Sequence, residues 1–282
     1  MRILVVDAFT DSPFGGNPAG VCVLPGPADP AWMQQVAAEV RHSETAFVRP
    51  LADGPDAEAD PDADFELRWF TPVTEVALCG HATLAAAHAL YETGLAPSER
   101  PIRFRTLHSG VLTVTNTPGG YLEGGHLEMD FPAVPPEETS APEGLAEALG
   151  APIGWTGRNA QNDLVVEVGD EATVRKLTPD IRALGEFDAR GVVPTAAAGP
   201  GKNYDFVSRF FGARILEGDG EDPVTGSAHC ALAPYWAAKL GRDELTGYQA
   251  SERGGLVRTV LRGDRVVLSG QAVTVLDGEL RV

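Results

Sequence analysis

Two short stretches decide the fold: Leu78-Cys79-Gly80-His81-Ala82 and Val224-Thr225-Gly226-Ser227-Ala228. Gly226 stands 146 residues after Gly80, about half of the 282-residue chain. Each stretch opens a segment of small and apolar residues, His81–Thr93 and Ser227–Leu240, that stops at a glycine, Gly94 or Gly241. A glycine past the last turn is a common helix stop, and a helix apolar nearly all round is a buried one. Two such helices at half-chain spacing, each flanked by strand-like segments, predict an α/β (α+β) protein of two similar halves. Pro234 inside the second helix predicts a kink or a split.

Around these helices the strand signals dominate. Arg2–Phe9 is an apolar run, and Phe65–Phe70 and Ile102–Thr106 alternate as half-buried strands do. Val111–Thr115, Leu127–Phe131, Leu164–Val168, Tyr204–Phe211, Leu256–Leu261, Arg265–Leu268 and Gln271–Leu276 read the same way. Asp277-Gly278 predicts a hairpin before a last strand, Glu279–Val282. Pro30–Val40 is an amphipathic helix with Trp32, Val36 and Val40 on one face and Met33 and Ala37 beside them. The break between halves is expected near Asn116–Tyr121, followed by a Pro/Glu-rich surface stretch, Pro132–Ala141. The halves are thus 1–118 and 119–270.

Composition narrows the function. Hydrophobic residues make up 43% of the chain, enough for a core. Lys and Arg number 22 against 40 Asp and Glu, a formal net charge of −18. Such a surface repels phosphate backbones, so no nucleic-acid partner is expected. Part of the acidity sits in Asp53–Asp64, read as a solvated loop. Cys22, Cys79 and Cys230 show no CxxC spacing and form no even set, which favours a reducing compartment. No signal-peptide pattern opens the sequence and no apolar run spans a bilayer, so a cytoplasmic location is expected and no membrane partner.

Four patches could carry chemistry. In Gly15-Gly16-Asn17-Pro18-Ala19-Gly20 the glycines admit close backbone approach and Asn17 could orient a ligand; the alternative is an ordinary turn. In Ser43-Glu44-Thr45-Ala46-Phe47-Val48 a carboxylate stands at a helix-to-strand junction. Desolvation in a pocket would raise its pKa toward neutrality and suit it to carbon-acid chemistry; the alternative is an exposed loop acid. In Cys79-Gly80-His81-Ala82-Thr83 the free first-turn N–H groups could bind an anion, with His81 as donor or proton carrier. In Asp222-Pro223-Val224-Thr225-Gly226-Ser227 the residue types suit a helix cap, and the match to the third patch suggests a second anion-binding helix end. GxSxG, HExxH and GxxxxGK[ST] are absent and the histidines are scattered, so neither cofactor nor metal is expected. His88 and Cys230 read as core, His108 and His126 as loop residues.

Taken in order, VDAFTDSPFGGNPAGV, SETAFV, RWFTPVTEVALCGHATLA and DFVSRFFGARILEGDGEDPVTGSAHC resemble the signature of the PhzF-like phenazine-biosynthesis family, from Val6 to Cys230. The resemblance implies a diaminopimelate-epimerase-like fold: two halves, each a mostly antiparallel, barrel-like sheet around a central helix. It also implies an active site between the halves and a final strand, from about Gln271, returning to the first. It places the family's catalytic glutamate on Glu44, its histidine on His81, and the aspartate and serine of its second motif on Asp222 and Ser227. The implied activity is cofactor-free isomerisation of trans-2,3-dihydro-3-hydroxyanthranilate. Glu44 would move a proton between ring carbons, His81 and Asp222 would assist, Asn17 would orient the substrate, and Gly80, Gly226 and Ser227 would hold its carboxylate. A homodimer is the family's usual state.

Two rivals accompany this expectation. An amino-acid racemase or epimerase on the same fold uses two opposed cysteines, and here the second position holds Thr225, whose hydroxyl is far too weak an acid. A non-catalytic binding or scaffold protein could keep the fold without turnover.

Overall fold

The computed structural model describes residues 1–51, 62–117, 124–216 and 220–281. It divides into two compact units, Met1–Asp130 with Ser269–Val282, and Phe131–Leu268. Most of the acidic 53–64 stretch and residues 118–121 of the expected linker lie outside the described residues. Asp64 is described, and its carboxylate takes two Arg103 donors at 2.9 Å, one from the backbone and one from the guanidinium.

The first unit begins with β1 (Arg2–Ala8), β2 (Asn17–Val23), α1 (Pro30–Val40), β3 (Glu44–Pro50), β4 (Phe65–Phe70) and β5 (Glu75–Val76). It continues with α2 (Gly80–Glu92), β6 (Ile102–Arg105), β7 (Val111–Asn116) and β8 (Leu127–Pro132), whose last two residues lie in the second unit. β1 pairs antiparallel with β2, β2 parallel with β3, β3 antiparallel with β4, β4 parallel with β6, and β6 antiparallel with β7. Every α2 residue from His81 to Tyr91 is buried. Its alanines let strands approach from several sides, while Leu84 and Leu90 fill the interior. Burial of such a leucine contributes about 1.5–3 kcal/mol. α1 covers a different core of Ile3, Cys22, Met33, Val36, Ala37, Phe47 and Phe70. Its buried face is Met33, Val36 and Ala37, with Trp32 and Val40 at the margin.

The second unit holds β9 (Glu137–Glu138), α3 (Leu145–Leu149), β10 (Ile153–Arg158), β11 (Asp163–Val168), α4 (Glu171–Lys176), α5 (Ile181–Leu184) and β12 (Gly191–Ala197). After these come β13 (Phe206–Ser208), α6 (Gly226–Leu240), β14 (Glu244–Gln249), β15 (Gly255–Arg262) and β16 (Arg265–Gly270), the last residues of β16 lying in the first unit. From β10 to β15 the successive pairings are antiparallel, parallel, antiparallel, parallel, antiparallel. That is the order found from β1 to β7, with one helical crossover at each parallel step. α6 occupies the place of α2, between the strands of the second parallel pair. Leu232 and Trp236 of α6 pack with Val165, Val193 and Phe206. Each half is therefore a mostly antiparallel sheet about a buried helix, as expected of a diaminopimelate-epimerase-like fold.

Three local expectations are corrected. No hairpin forms at Asp277-Gly278. β17 (Ala272–Glu279) runs straight through it and pairs with β1, Leu4 opposite Asp277 and Ile3 opposite Gly278. The Arg2 guanidinium grips the Asp277 carboxylate at 2.7 and 2.9 Å across the strands, which favours pairing over turning. Of the two outcomes expected at Pro234, a kink or a split, the split does not occur; the helix runs unbroken from Gly226 to Leu240 with Pro234 inside it. The Tyr204–Phe211 strand shortens to Phe206–Ser208, because Arg209 turns away to pair with Glu221 at 2.7 Å.

Candidate active site

The helices differ in how they start. α1, α4 and α5 are capped by Asp29, Asp170 and Asp180, whose side chains accept first-turn N–H groups at 2.9, 2.7 and 3.0 Å. α2 and α6 start at Cys79 and Thr225, and neither side chain caps its helix. Thr225, one of the cap types in the second motif, therefore does not cap α6. A helix end without a side-chain cap keeps donors and the positive end of the helix dipole available for an anion. The two ends also share an inner brace. Thr83 Oγ1 donates to the Cys79 carbonyl at 2.6 Å, and His229 Nδ1 donates to the Thr225 carbonyl at 2.8 Å, four residues past the start in each case.

In the first unit three sequence-selected residues meet. β3 begins with Glu44, α2 carries His81 one residue after Gly80, and β2 begins with Asn17. His81 Nε2 lies 3.3 Å from Glu44 Oε2, the side chains 6% and 17% exposed. On the other ring nitrogen, Asn17 Nδ2 lies 3.2 Å from Nδ1 and Cys79 Sγ 3.5 Å. With the Asn17 amide nitrogen as donor, Nδ1 accepts and the imidazole proton sits on Nε2, toward Glu44. That N–H makes no aligned hydrogen bond although the atom is buried, a cost of about 1–3 kcal/mol that a ligand acceptor would offset. Burial pushes the His81 pKa down to about 3, with His42 acting in the same direction. The ring is therefore a neutral donor at physiological pH.

Asn17 owes its place to the turn before it. Gly16 has φ +63°, and a Cβ there would lie 2.1 Å from the Ala8 carbonyl oxygen. Only glycine lets the chain double back into β2. Asp7, 1% exposed, accepts the Phe14 N–H at 2.7 Å and pins the loop.

Glu44, Cys79 and His81 offer ligand atoms within 4.8 Å of one another, a possible metal set. The ring geometry argues against a single ion, because Cys79 faces Nδ1 and Glu44 faces Nε2. A metal needs one imidazole nitrogen aimed at it with the other ligands around the same point.

In the second unit, Asp222, Gly226 and Ser227 stand at the start of α6. Asp222 accepts the Thr225 hydroxyl, while Gln249, fully buried, donates to the Asp222 carbonyl at 2.6 Å and accepts the Thr225 N–H at 2.8 Å. The Thr225 hydroxyl is thus committed to Asp222. Ser227 Oγ accepts from Arg190 Nη2 at 3.0 Å. Arg190 and Gln249 carry no motif signal; Arg190 stands just before β12 and Gln249 ends β14, and only folding brings them to α6. His88 is buried and reaches Thr274 of β17 at 3.0 Å, and Cys230 is buried.

No helix among the described residues is long and apolar enough to cross a membrane. The chain matches the model of phenazine biosynthesis-like proteins (PhzC-PhzF) over residues 6–278. It is 47% identical to a Halalkalibacterium halodurans protein named as an uncharacterized isomerase, over 99% of this chain and 97% of that one. A PhzF-family crystal structure from Enterococcus faecalis superposes with a TM-score of 0.87 at 37% identity, covering 100% of this chain and 99% of that one. A probable proline racemase from Agrobacterium radiobacter, 14% identical, shares the fold with a TM-score of 0.65 over 100% of this chain and 93% of its own. The chain therefore belongs to the phenazine biosynthesis-like family and is an isomerase of the PhzF type.

Proposed function

We propose that the enzyme moves a proton between carbons of a small cyclic or amino-acid-like carboxylate of the trans-2,3-dihydro-3-hydroxyanthranilate type, with Glu44 as the single acid/base. The observation that carries this reading is the 3.3 Å approach of Glu44 to a neutral, buried His81 at the start of a helix its own cap residue leaves open. The Glu44 carboxylate takes a proton from an acidified carbon, and the C–H electron pair moves into the adjoining π system. The resulting carboxylic acid returns the proton to a second carbon of that system, so atoms and charge balance without a redox partner. His81, neutral, donates from Nε2 to a substrate heteroatom or to Glu44 as its charge changes. Asn17 holds the ring in that tautomer.

Asp222, Gly226 and Ser227 of the second unit are substrate-binding residues in this proposal: Asp222 for an amino or hydroxyl group, Gly226 and Ser227 for a carboxylate, as Gly80 is in the first unit. Two-thiol epimerisation is disfavoured because the α6 position matching Cys79 holds Thr225, already hydrogen-bonded to Asp222.

The test is turnover of trans-2,3-dihydro-3-hydroxyanthranilate in deuterated water. Wild type should shift the double bonds, with deuterium on the receiving carbon to the extent that the protonated Glu44 exchanges with solvent before delivery. Glu44→Gln should lower the rate by about a hundred- to ten-thousand-fold while still binding anthranilate. Near-normal turnover by Glu44→Gln removes Glu44 from the mechanism. Binding with neither double-bond movement nor exchange supports a scaffold, and inversion without double-bond movement supports an epimerase.

A further inference from the structure

We infer that Arg190 is the positioning residue of the second unit, fixing Ser227 as a hydrogen-bond donor to the substrate carboxylate. This rests on the carboxylate-holding role proposed for Ser227. The donor chemistry gives the direction. A guanidinium only donates, so in the 3.0 Å contact with Arg190 Nη2 the Ser227 oxygen accepts. The hydroxyl's one proton must then point away from Arg190, free for an anion at the start of α6. Ser227 is half-buried and Arg190 30% exposed, so a ligand can reach them.

Arg190 is itself held by Asp163, by Gln161, whose Oε1 accepts from Nη2 at 3.2 Å, and by the ring of Phe210. Asp163, fully buried, accepts from Arg190 Nε at 2.8 Å and Nη2 at 2.6 Å, a two-pronged grip that fixes the guanidinium plane. Asn159 donates to the same carboxylate at 3.0 Å and keeps it oriented. The guanidinium lies 5.4 Å from the centre of the Phe210 ring. That ring fits only because residue 191 is glycine; a Cβ there would come within 2.4 Å of it. Since Asp163 offsets the charge of Arg190, the arginine acts by aim more than by field.

The duplication supports the assignment. In the first unit the strand entering the first parallel pair brings Glu44, opposite Ala19, against the second residue of α2, His81. In the second unit the matching strand begins at Gly191, opposite Asp163, and the residue before it touches the second residue of α6, Ser227. Within one residue of the equivalent strand start, the first half carries an acid and the second a cation, each against the second residue of its buried helix.

The test is a double-mutant cycle read by calorimetric titration with anthranilate, on wild type, Ser227→Ala, Arg190→Lys and the double variant, each checked for native melting. Lysine keeps the charge but cannot span Asp163 and Ser227 together. Ser227→Ala should weaken binding by about tenfold, as for a hydrogen bond to a charged group. Arg190→Lys should cost a similar factor when Ser227 is intact and almost nothing in the Ser227→Ala background. Equal losses in both backgrounds, or no loss in the first, overturn the role of Arg190 and leave that of Ser227 standing. No binding by wild type, or full binding by Ser227→Ala, overturns the carboxylate-holding reading first. Should Arg190→Lys fail to fold, Arg190→Gln enters the same cycle with the same two readings.

Discussion

Acidification from pH 7 to pH 5 should destabilise this protein by several kcal/mol through two buried histidines. Burial holds His81 down to about 3, and it holds His229 down to about 4 despite the opposing hydrogen bond to the Thr225 carbonyl. In the unfolded chain both titrate near 6.5. Between those values the unfolded state binds more protons than the folded one, so stability falls as pH falls. At pH 5 each group has lost about 1.5 pH units' worth, about 2 kcal/mol, and the pair about 4 kcal/mol. His88, also lowered by burial, adds in the same direction. The stabilising carboxylate Glu171, held down to about 2 against its own burial by Tyr204, Gly199 and Arg175, loses its contribution only below its ordinary range and does not intrude. Urea unfolding at pH 7, 6 and 5 measures the slope. His229→Asn, which keeps a donor near the Thr225 carbonyl, should lose a fixed amount of stability at pH 7 and remove about half of the slope. A flat or rising stability toward pH 5, or an unchanged slope in His229→Asn, would refute the claim that these rings are buried as neutral bases. The same reasoning denies the activity profile any inflection near pH 6.5 from His81.

Two further substitutions probe the site's construction. Gly16→Ala should cost at least about 2 kcal/mol in chemical denaturation, from the left-handed backbone and the clash with the Ala8 carbonyl, and should cut turnover further by displacing Asn17; stability within about 0.5 kcal/mol, the size of a neutral surface change, would mean the turn has another solution. Cys79→Ser should retain turnover within about tenfold, since the proposed proton carrier is a carboxylate; a loss as deep as that of Glu44→Gln would return the thiol to the mechanism.

The helices were legible because their signals are local. Gly80 and Gly226 align, the runs after them are small and apolar, and Gly94 and Gly241 end them; the buried helices α2 and α6 follow directly. Phe65–Phe70 alternates and is β4 to the residue. β2 was hidden because GGNPAGV reads as a turn: only its first part is one, and Pro18 tolerates a strand position that propensity disfavours. β12 was hidden the same way behind Pro194. α4 and α5 are single short turns started by Asp170 and Asp180, too brief for a periodic signal. The Asp277-Gly278 turn signal was real chemistry overruled by β1, which offers a full-length partner and Arg2. Glu44, His81 and Asn17 could be named from their motifs, and the structure brings them together. Arg190 could not, because its role depends on Asp163 and Ser227, far away in the chain and joined to it only by folding.

The return of β17 to β1 makes the first unit discontinuous: Met1 and Leu280 exchange backbone hydrogen bonds at 2.9 and 2.7 Å. The second unit, Phe131–Leu268, is an unbroken stretch. During synthesis it can complete its own core while the first still lacks the strand that closes one side of β1. A nascent chain would thus hold an open sheet edge until β17 leaves the ribosome, making that edge the place where premature release or aggregation would begin.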